Sequence, residues 1–557
     1  ILHLYVEINI FFFYFIMCIS KCKRGILMEK LSVTELQHVS PESVGINSSA
    51  IKAFIDEINE KKLGLQSFTV VRNDKVCAQG FFKPYAKEYP HVLYSMSKSV
   101  TSTAIGFAVN EGLISLDDKV ADFFPEYASA KKPKNQQLTV RMLLTMRSDK
   151  RITVLDEKGG TDWIKNFFDA GFIAKPDTKF NYISENTFML SAILSKVTGM
   201  SMLDYLNERM FKPLGIEKPF WEKDGAGNNV AGWGLYMKSE DLAKFFLPYI
   251  HEGKWIDGTQ LVPAEWVKEA TAKQTDSVKD GFIDNMCGYG YQFWRNPAPN
   301  SYRCDGLFGQ RCFMFPDYNA LVVLNSGESE DYKIMKVFWK HFPKCFKENP
   351  LPENDTAHKA LLKAVEACHV EDLAATPRNA ETERKISGRT IKCRTNVNTS
   401  VVSISVVQML YNKPAKINEM KFDFTDDCLK FTWKEKDEYN TIDVGMDGEY
   451  RMSEIRLKDL HYHAYSKAAW QPDGTLKLWI RPIETAHVRK FTFKFRNNGT
   501  VRVVNEMTPT FQELAIYNFT FTGKPIKRKS TENFVKSAVE NVGLLYIEPD
   551  FTGKFAD

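Results

Sequence analysis

Two sets of strand-like runs lie far apart in this chain, and their separation most constrains its fold. Gln66 to Arg72 and Lys75 to Phe82 are joined by Asn73-Asp74, which reads as a hairpin turn. Gln310 to Phe315 and Ala320 to Leu324 repeat the pattern around Pro316-Asp317-Tyr318-Asn319, and Tyr289 to Trp294 reads as a further strand. The stretch between them, Ser95 to about Trp266, is helical in texture. Strands so separated must meet in one antiparallel sheet with helices on its faces, which is an α+β architecture.

At 557 residues the chain is too long for one core, so two or more domains are expected. Residues 28–346 form the mixed α and β unit. Within it Ile51, Phe54, Ile55 and Ile58 mark one face of a helix over Ser49 to Lys61, and 331–343 reads as another helix. Residues 347–385, with Pro350, Pro352 and Pro377, read as a linker with a helix. From 386 to 557 the texture changes to short alternating runs, among them VVSISVVQML, KFDFT, LKFTW, TLKLWI and KFTFKF, separated by polar turns. That predicts an all-β domain, a barrel or sandwich.

Residues 1–27 stand apart. Their apolar core, Ile8 to Ile19, is shorter than the roughly 20 residues a membrane span needs. No basic segment precedes it and no small-residue cleavage site follows, so it makes a poor signal peptide. Arg24 to Leu27 before Met28 reads as a translated ribosome-binding site, which makes 1–27 a non-native extension and Met28 the start. The rival reading is a membrane anchor.

Net charge is +5 on 74 basic and 69 acidic residues, with no dense basic run, so nucleic-acid binding has no electrostatic support. The ten cysteines are scattered without a C-x-x-C pair. This predicts reduced thiols in a cytoplasmic protein, with membrane anchoring or export as the alternative if 1–27 is native. His461 and His463 share one strand face, but without a third ligand nearby they read as a surface pair and not as a metal site. No G-x-S-x-G elbow is present.

Ser-x-x-Lys occurs four times: Ser20/Lys23, Ser49/Lys52, Ser95/Lys98 and Ser129/Lys132. Context separates them. Ser95 follows the extended stretch His91 to Tyr94 and opens a segment, Val100 to Val109, whose apolar and small residues suit a buried central helix ended by Gly112. A serine in a first helical turn meets unpaired backbone N–H groups and a favourable dipole, and a lysine three residues on shares its face. Such a lysine acts as a base only when neutral, which requires desolvation or a neighbouring cation.

YSMSKSVTSTAIG, followed by NEGLISLDDKV and LTVRMLLTM, resembles the serine β-lactamase and penicillin-binding-protein superfamily, and within it the class C β-lactamase-like hydrolases that include D,D-peptidases and family VIII esterases. The resemblance covers about residues 40 to 345. It implies that Ser95 becomes acylated and that Lys98 takes its proton. It places the family's Tyr-x-Asn motif at Tyr182, with Ser184 where the family has Asn. It places the third motif at Cys304-Asp305-Gly306, so the family's substrate-binding lysine is absent and Arg303 and Arg311 are the nearby cations. The implied oxyanion hole is the backbone N–H of Ser95 and of Leu307, the residue after Gly306. Tyr289, Tyr291, Phe293 and Trp294 are candidates for the cleft wall or the core.

The expected activity is that of a serine hydrolase acting through an acyl-enzyme on small esters, amides or D-amino-acid peptides, with no cofactor. The sequence leaves the oligomeric state open. The alternative, motivated by Ser184 and the altered third motif, is a catalytically inactive binding protein on the same scaffold.

Overall fold

A computed structural model describes residues 31–127, 133–151, 162–278, 282–394, 399–401, 416–435, 437–457, 460–510 and 550–556. The 1–27 extension, the pairs Ser20/Lys23 and Ser129/Lys132, and all of the VVSISVVQML run except Val401 lie outside them.

The distant strands do meet. Leu65–Arg72 pairs antiparallel with Ala320–Ser326, with Ala320 opposite Arg72 and Leu324 opposite Phe68. The sheet runs in the order Gln37–His38, Lys75–Phe81, Leu65–Arg72, Ala320–Ser326, Gln310–Phe315, Tyr302–Gly306, Trp294–Arg295. Only the edge pair Gln37–His38 departs from the antiparallel pattern. The first hairpin closes through Asn73 and Asp74 at φ 48° and 64°, conformations that their short polar side chains tolerate.

Two expectations need correcting. Tyr289 to Trp294 is not one strand: Gln292 turns to φ 67°, and only Trp294–Arg295 extends. The Ser95 to Trp266 stretch is not wholly helical either. Phe220–Trp221 and Leu235–Met237 join His91–Val92 in a small three-stranded sheet. That small sheet orients the chain entering Ser95.

One face of the main sheet is covered by helices Ser48–Glu60, Tyr332–His341 and Asp355–Glu366. Ile51, Phe54, Ile55 and Ile58 turn into this core, and Asn47 caps the first helix by accepting from the Ser49 N–H. Leu361 and Cys368, from the stretch between the two sheets, join the same core. The other face meets the main apolar core around the buried helix Ser97–Asn110. No helix among the described residues is long and apolar enough to cross a membrane.

The C-terminal region is a β-barrel. Among the described residues ten strands follow one another, and a parallel bridge between Gly445 and Lys467 closes nine of them on themselves. The period is two: in Cys428–Glu435, Leu429, Phe431 and Trp433 point inward while Lys430 faces solvent. The final strand, Phe551–Phe555, seals the barrel between Thr390–Arg394 and Thr500–Thr508.

Candidate active site

Ser95 sits on a tight turn. Val92 pairs with Tyr236, and the Leu93 N–H donates to the Leu235 carbonyl at 2.8 Å, which fixes the incoming chain. Tyr94 then takes φ 46°, a left-handed conformation unusual for a bulky residue. Tyr94–Met96 form a 3-10 turn that runs directly into helix Ser97–Asn110. The Ser97 hydroxyl donates to the Tyr94 carbonyl at 2.7 Å and locks the junction. The helix tolerates burial over Ser97 to Ala108 because many of its residues are small: a Cβ on Gly106 would lie 2.4 Å from the ring of Trp266.

Lys98 is buried with its amine between two hydroxyls and a carbonyl. Nζ lies 3.0 Å from Ser95 Oγ, 3.0 Å from Ser184 Oγ and 2.7 Å from the Gly232 carbonyl oxygen. Burial pulls its pKa down from 10.5 to about 7, against the opposing pull of Glu185. Near neutral pH the amine is therefore divided between its two states. The Gly232 carbonyl can only accept, so one N–H is fixed there. In the neutral amine the lone pair is left for a hydroxyl, and Ser95 and Ser184 are the two within reach.

Tyr182 completes the cluster. Its ring centre lies 4.9 Å from Lys98 Nζ, and its phenol is a hydrogen-bond partner of Ser95. Burial pushes the phenol well above its ordinary range, Ser95 and Arg311 pull it back, and Asp305 adds to the rise. The ring is wedged among Phe180, Tyr289 and Trp294, at centroid distances of 6.4, 6.1 and 5.5 Å. The aromatic run thus divides: Tyr289 and Trp294 pack on Tyr182, whereas Tyr291 and Phe293 belong to the main core.

Gly306 ends strand Tyr302–Gly306 against the serine's turn. A Cβ there would lie 2.4 Å from the Leu93 carbonyl oxygen and 3.2 Å from Met96 Cγ. The protein itself, before any substrate, excludes a side chain at this position. Leu307 follows and is half-buried against the barrel's apolar cluster.

The cations flanking this strand are engaged. Asp305 bridges Arg303 Nε at 2.8 Å and Arg311 Nη1 at 3.0 Å. Arg311 also holds Asp331 at 2.6 Å. Asp305 thus occupies the two guanidiniums that stood as candidates for a substrate carboxylate.

The barrel also reaches this region. The Val92 N–H donates to the Glu484 carbonyl at 2.8 Å, the Tyr85 hydroxyl to the Thr485 carbonyl at 3.1 Å, and Gln66 Nε2 to the Ala486 carbonyl at 3.0 Å. His463, still partly exposed, is paired with Glu484 and packs against Tyr89, so it also takes part in this contact. No group of three or more metal-ligating side chains occurs among the described residues.

Ser95, Lys98, Tyr182 and Ser184 are therefore within one cluster, with Gly306 ending the strand beside it and Leu307 opening the turn that follows. Sequence reasoning missed the Gly232 carbonyl, because a backbone acceptor carries no residue-type signal. It missed the barrel loop because nothing local links residues 484–486 to Gln66, Tyr85 and Val92.

The Beta-lactamase family matches residues 51–334. Penicillin-binding protein 4 of Amycolatopsis lactamdurans is 33% identical over 252 residues, 39% of this chain and 65% of that protein, so this chain spans less than two thirds of that relative's length. The 6-aminohexanoate-dimer hydrolase of Paenarthrobacter ureafaciens is 20% identical over 337 residues, 54% of this chain and 82% of that protein. Among solved structures, the octameric penicillin-binding protein homologue from Pyrococcus abyssi aligns with TM-score 0.43 and 17% identity, covering 82% of this chain and 98% of that one. A family VIII carboxylesterase aligns with TM-score 0.43 and 18% identity, covering 61% and 100%. With its family match extending over half of the sequence, this chain belongs to the Beta-lactamase family.

Proposed function

We propose that the protein is a serine hydrolase that works through an acyl-enzyme on small neutral esters or amides, including D-amino-acid amides. The observation that carries this reading is the buried Lys98 amine, 3.0 Å from Ser95 Oγ and held near neutrality by desolvation.

In this reading Ser95 Oγ attacks the substrate carbonyl while its proton passes to the neutral Lys98 amine. The carbonyl oxygen gains the negative charge and is met by the backbone N–H groups of Ser95 and Leu307. Donors of this kind typically contribute about 3–4 kcal/mol each. Collapse of the tetrahedral adduct breaks the bond to the leaving group, which takes a proton from Lys98 by way of the Tyr182 hydroxyl. Water then attacks the acyl-enzyme carbonyl and delivers its proton to the same pair, which passes it to Ser95 Oγ as the Ser95–acyl bond breaks and the acid leaves. Ser184 supports the base by holding the Lys98 amine from its other side.

The preference for neutral substrates follows from Asp305, which engages Arg303 and Arg311. A substrate carboxylate meets a strand whose cations already have carboxylate partners. Penicillins should therefore react more slowly than esters.

Intact-protein mass spectrometry with a short p-nitrophenyl ester, a D-alanyl amide and a penicillin, using Ser95→Ala as control, tests the proposal. An adduct or turnover that disappears in Ser95→Ala is expected, with the ester reacting fastest. Folded protein that reacts with none of the three would instead support the binding scaffold.

A further inference from the structure

One barrel side chain, His487, meets residues that flank the catalytic cluster. His487 ends the connection between strands Leu476–Pro482 and Val488–Phe495 and is buried. Its Nε2 shares a 2.8 Å hydrogen bond with the Tyr94 hydroxyl. Its ring also meets Phe308 edge-on at 5.0 Å, and Phe308 meets Tyr94 edge-on at 5.5 Å. Burial pushes the His487 pKa down to about 3, so the imidazole meets these rings uncharged.

The positions of the two partners give this triangle its meaning. Tyr94 immediately precedes Ser95, and Phe308 immediately follows Leu307. Both are held in the left-handed region, at φ 46° and 62°. Bulky residues persist there only when their surroundings over-determine them. One imidazole thus braces the strained neighbour of each N–H group assigned to the oxyanion hole. Val92, Tyr94, Tyr236 and Phe308 belong to the same apolar cluster as the barrel interior, so the brace is anchored in the barrel's core.

We propose that His487 is a positioning residue for the hydrolytic reaction: by holding Tyr94 and Phe308 in place it sets the spacing of the Ser95 and Leu307 amides, which makes the C-terminal barrel part of the catalytic apparatus. This rests on the acyl-enzyme reading of the Ser95 site. His487 touches neither substrate nor reacting atoms. It acts by fixing donors whose value depends on geometry set before the charge develops.

The test uses the full-length chain and a p-nitrophenyl ester. His487→Leu removes the partner of the Tyr94 hydroxyl, Tyr94→Phe removes that hydroxyl from the other side, and His487→Gln restores a polar atom near Nε2. Small displacements of catalytic groups lower rates by up to about 100-fold, so His487→Leu and Tyr94→Phe should each lower kcat by roughly 10- to 100-fold with KM little changed. The double variant should be no worse than either single one, because both remove the same bond. His487→Gln should recover most of the loss. Amide hydrogen exchange should quicken in peptides spanning 93–97 and 306–309.

Unchanged kcat and exchange in Tyr94→Phe would overturn the inference. So would a rise in KM alone, or losses that add in the double variant. If His487→Leu does not fold, Tyr94→Phe and His487→Gln carry the test. A wild-type chain that never acylates refutes the acyl-enzyme reading and this inference together. A wild-type chain that turns over while the variants match it refutes this inference alone.

Discussion

A Cβ atom on Gly306 would stand 2.4 Å from the carbonyl oxygen of Leu93, so the strand beside the site and the turn carrying Ser95 are in backbone contact. Gly306 itself is extended, at φ −134°, so the glycine is required for close approach and not for a special conformation. Gly306→Ala must push the strand away from the turn. A shift of about 1 Å in such a site can cost 100-fold in rate, so acylation of Ser95 should slow by roughly that factor. Circular dichroism should remain that of the wild type. Acylation at the wild-type rate would show that the contact yields without moving the reacting groups.

Lys98 gives the reaction its pH dependence. Its pKa is lowered to about 7 by burial, and only the unprotonated amine accepts the serine proton. Activity should therefore rise with pH, with a midpoint near 7 in kcat/KM for a neutral ester, and then level off. Lys98→Met has no base at any pH and should lose acylation throughout. An acid limb whose midpoint lies two or more units away would assign the titration to another group.

Most of the fold was legible because its signals are local. The hairpin at Asn73-Asp74, the apolar face of Ser48–Glu60 and the alternation in Cys428–Glu435 are written in consecutive residues. The strand pairing between Leu65–Arg72 and Ala320–Ser326 was legible because isolated strands need partners. Ser95, Lys98 and Tyr182 were legible through motif resemblance. What stayed hidden depends on contacts between distant residues. Gln292 breaks the Tyr289 to Trp294 run by a backbone turn that its residue type does not announce. Arg303 and Arg311 looked available until Asp305 was seen between them. The Gly232 carbonyl and His487 come from segments whose sequences carry no sign of Lys98 or Tyr94.

Arg303 should be essential to the architecture of the strand beside the site. Its buried guanidinium holds Asp305 Oδ2 at 2.8 Å, the Asp284 carbonyl at 3.0 Å, the Arg295 carbonyl at 3.2 Å, and the side-chain oxygens of Asn285 and Asn296 at 3.1 Å each. Arg303→Met keeps the length of the side chain but leaves these acceptors without that donor. Removing one partner of a buried ion pair typically costs about 3–5 kcal/mol. A fall of that size in unfolding free energy is expected, and a change below about 1 kcal/mol would mean that water replaces the guanidinium.

Glu222 predicts a second pH effect, on stability and not on rate. Its carboxyl is buried beside the Tyr236 hydroxyl, which in turn lies 3.0 Å from the Tyr462 hydroxyl of the barrel. Burial raises its pKa from 4.5 to about 8, against the lowering pull of Tyr236 and Trp233. Between those values the folded chain holds a proton that the unfolded chain has released. The contribution is thus fully present below pH 4.5 and is lost as pH rises through 8. One proton of difference gives a slope of at most about 1.4 kcal/mol per pH unit. Glu222→Gln keeps the shape and cannot release a proton, so it should abolish this slope. Denaturant unfolding of both chains at several pH values from 5 to 8 measures it. The wild type should weaken relative to Glu222→Gln as pH increases, whereas parallel curves would show that Glu222 is already ionised in the fold.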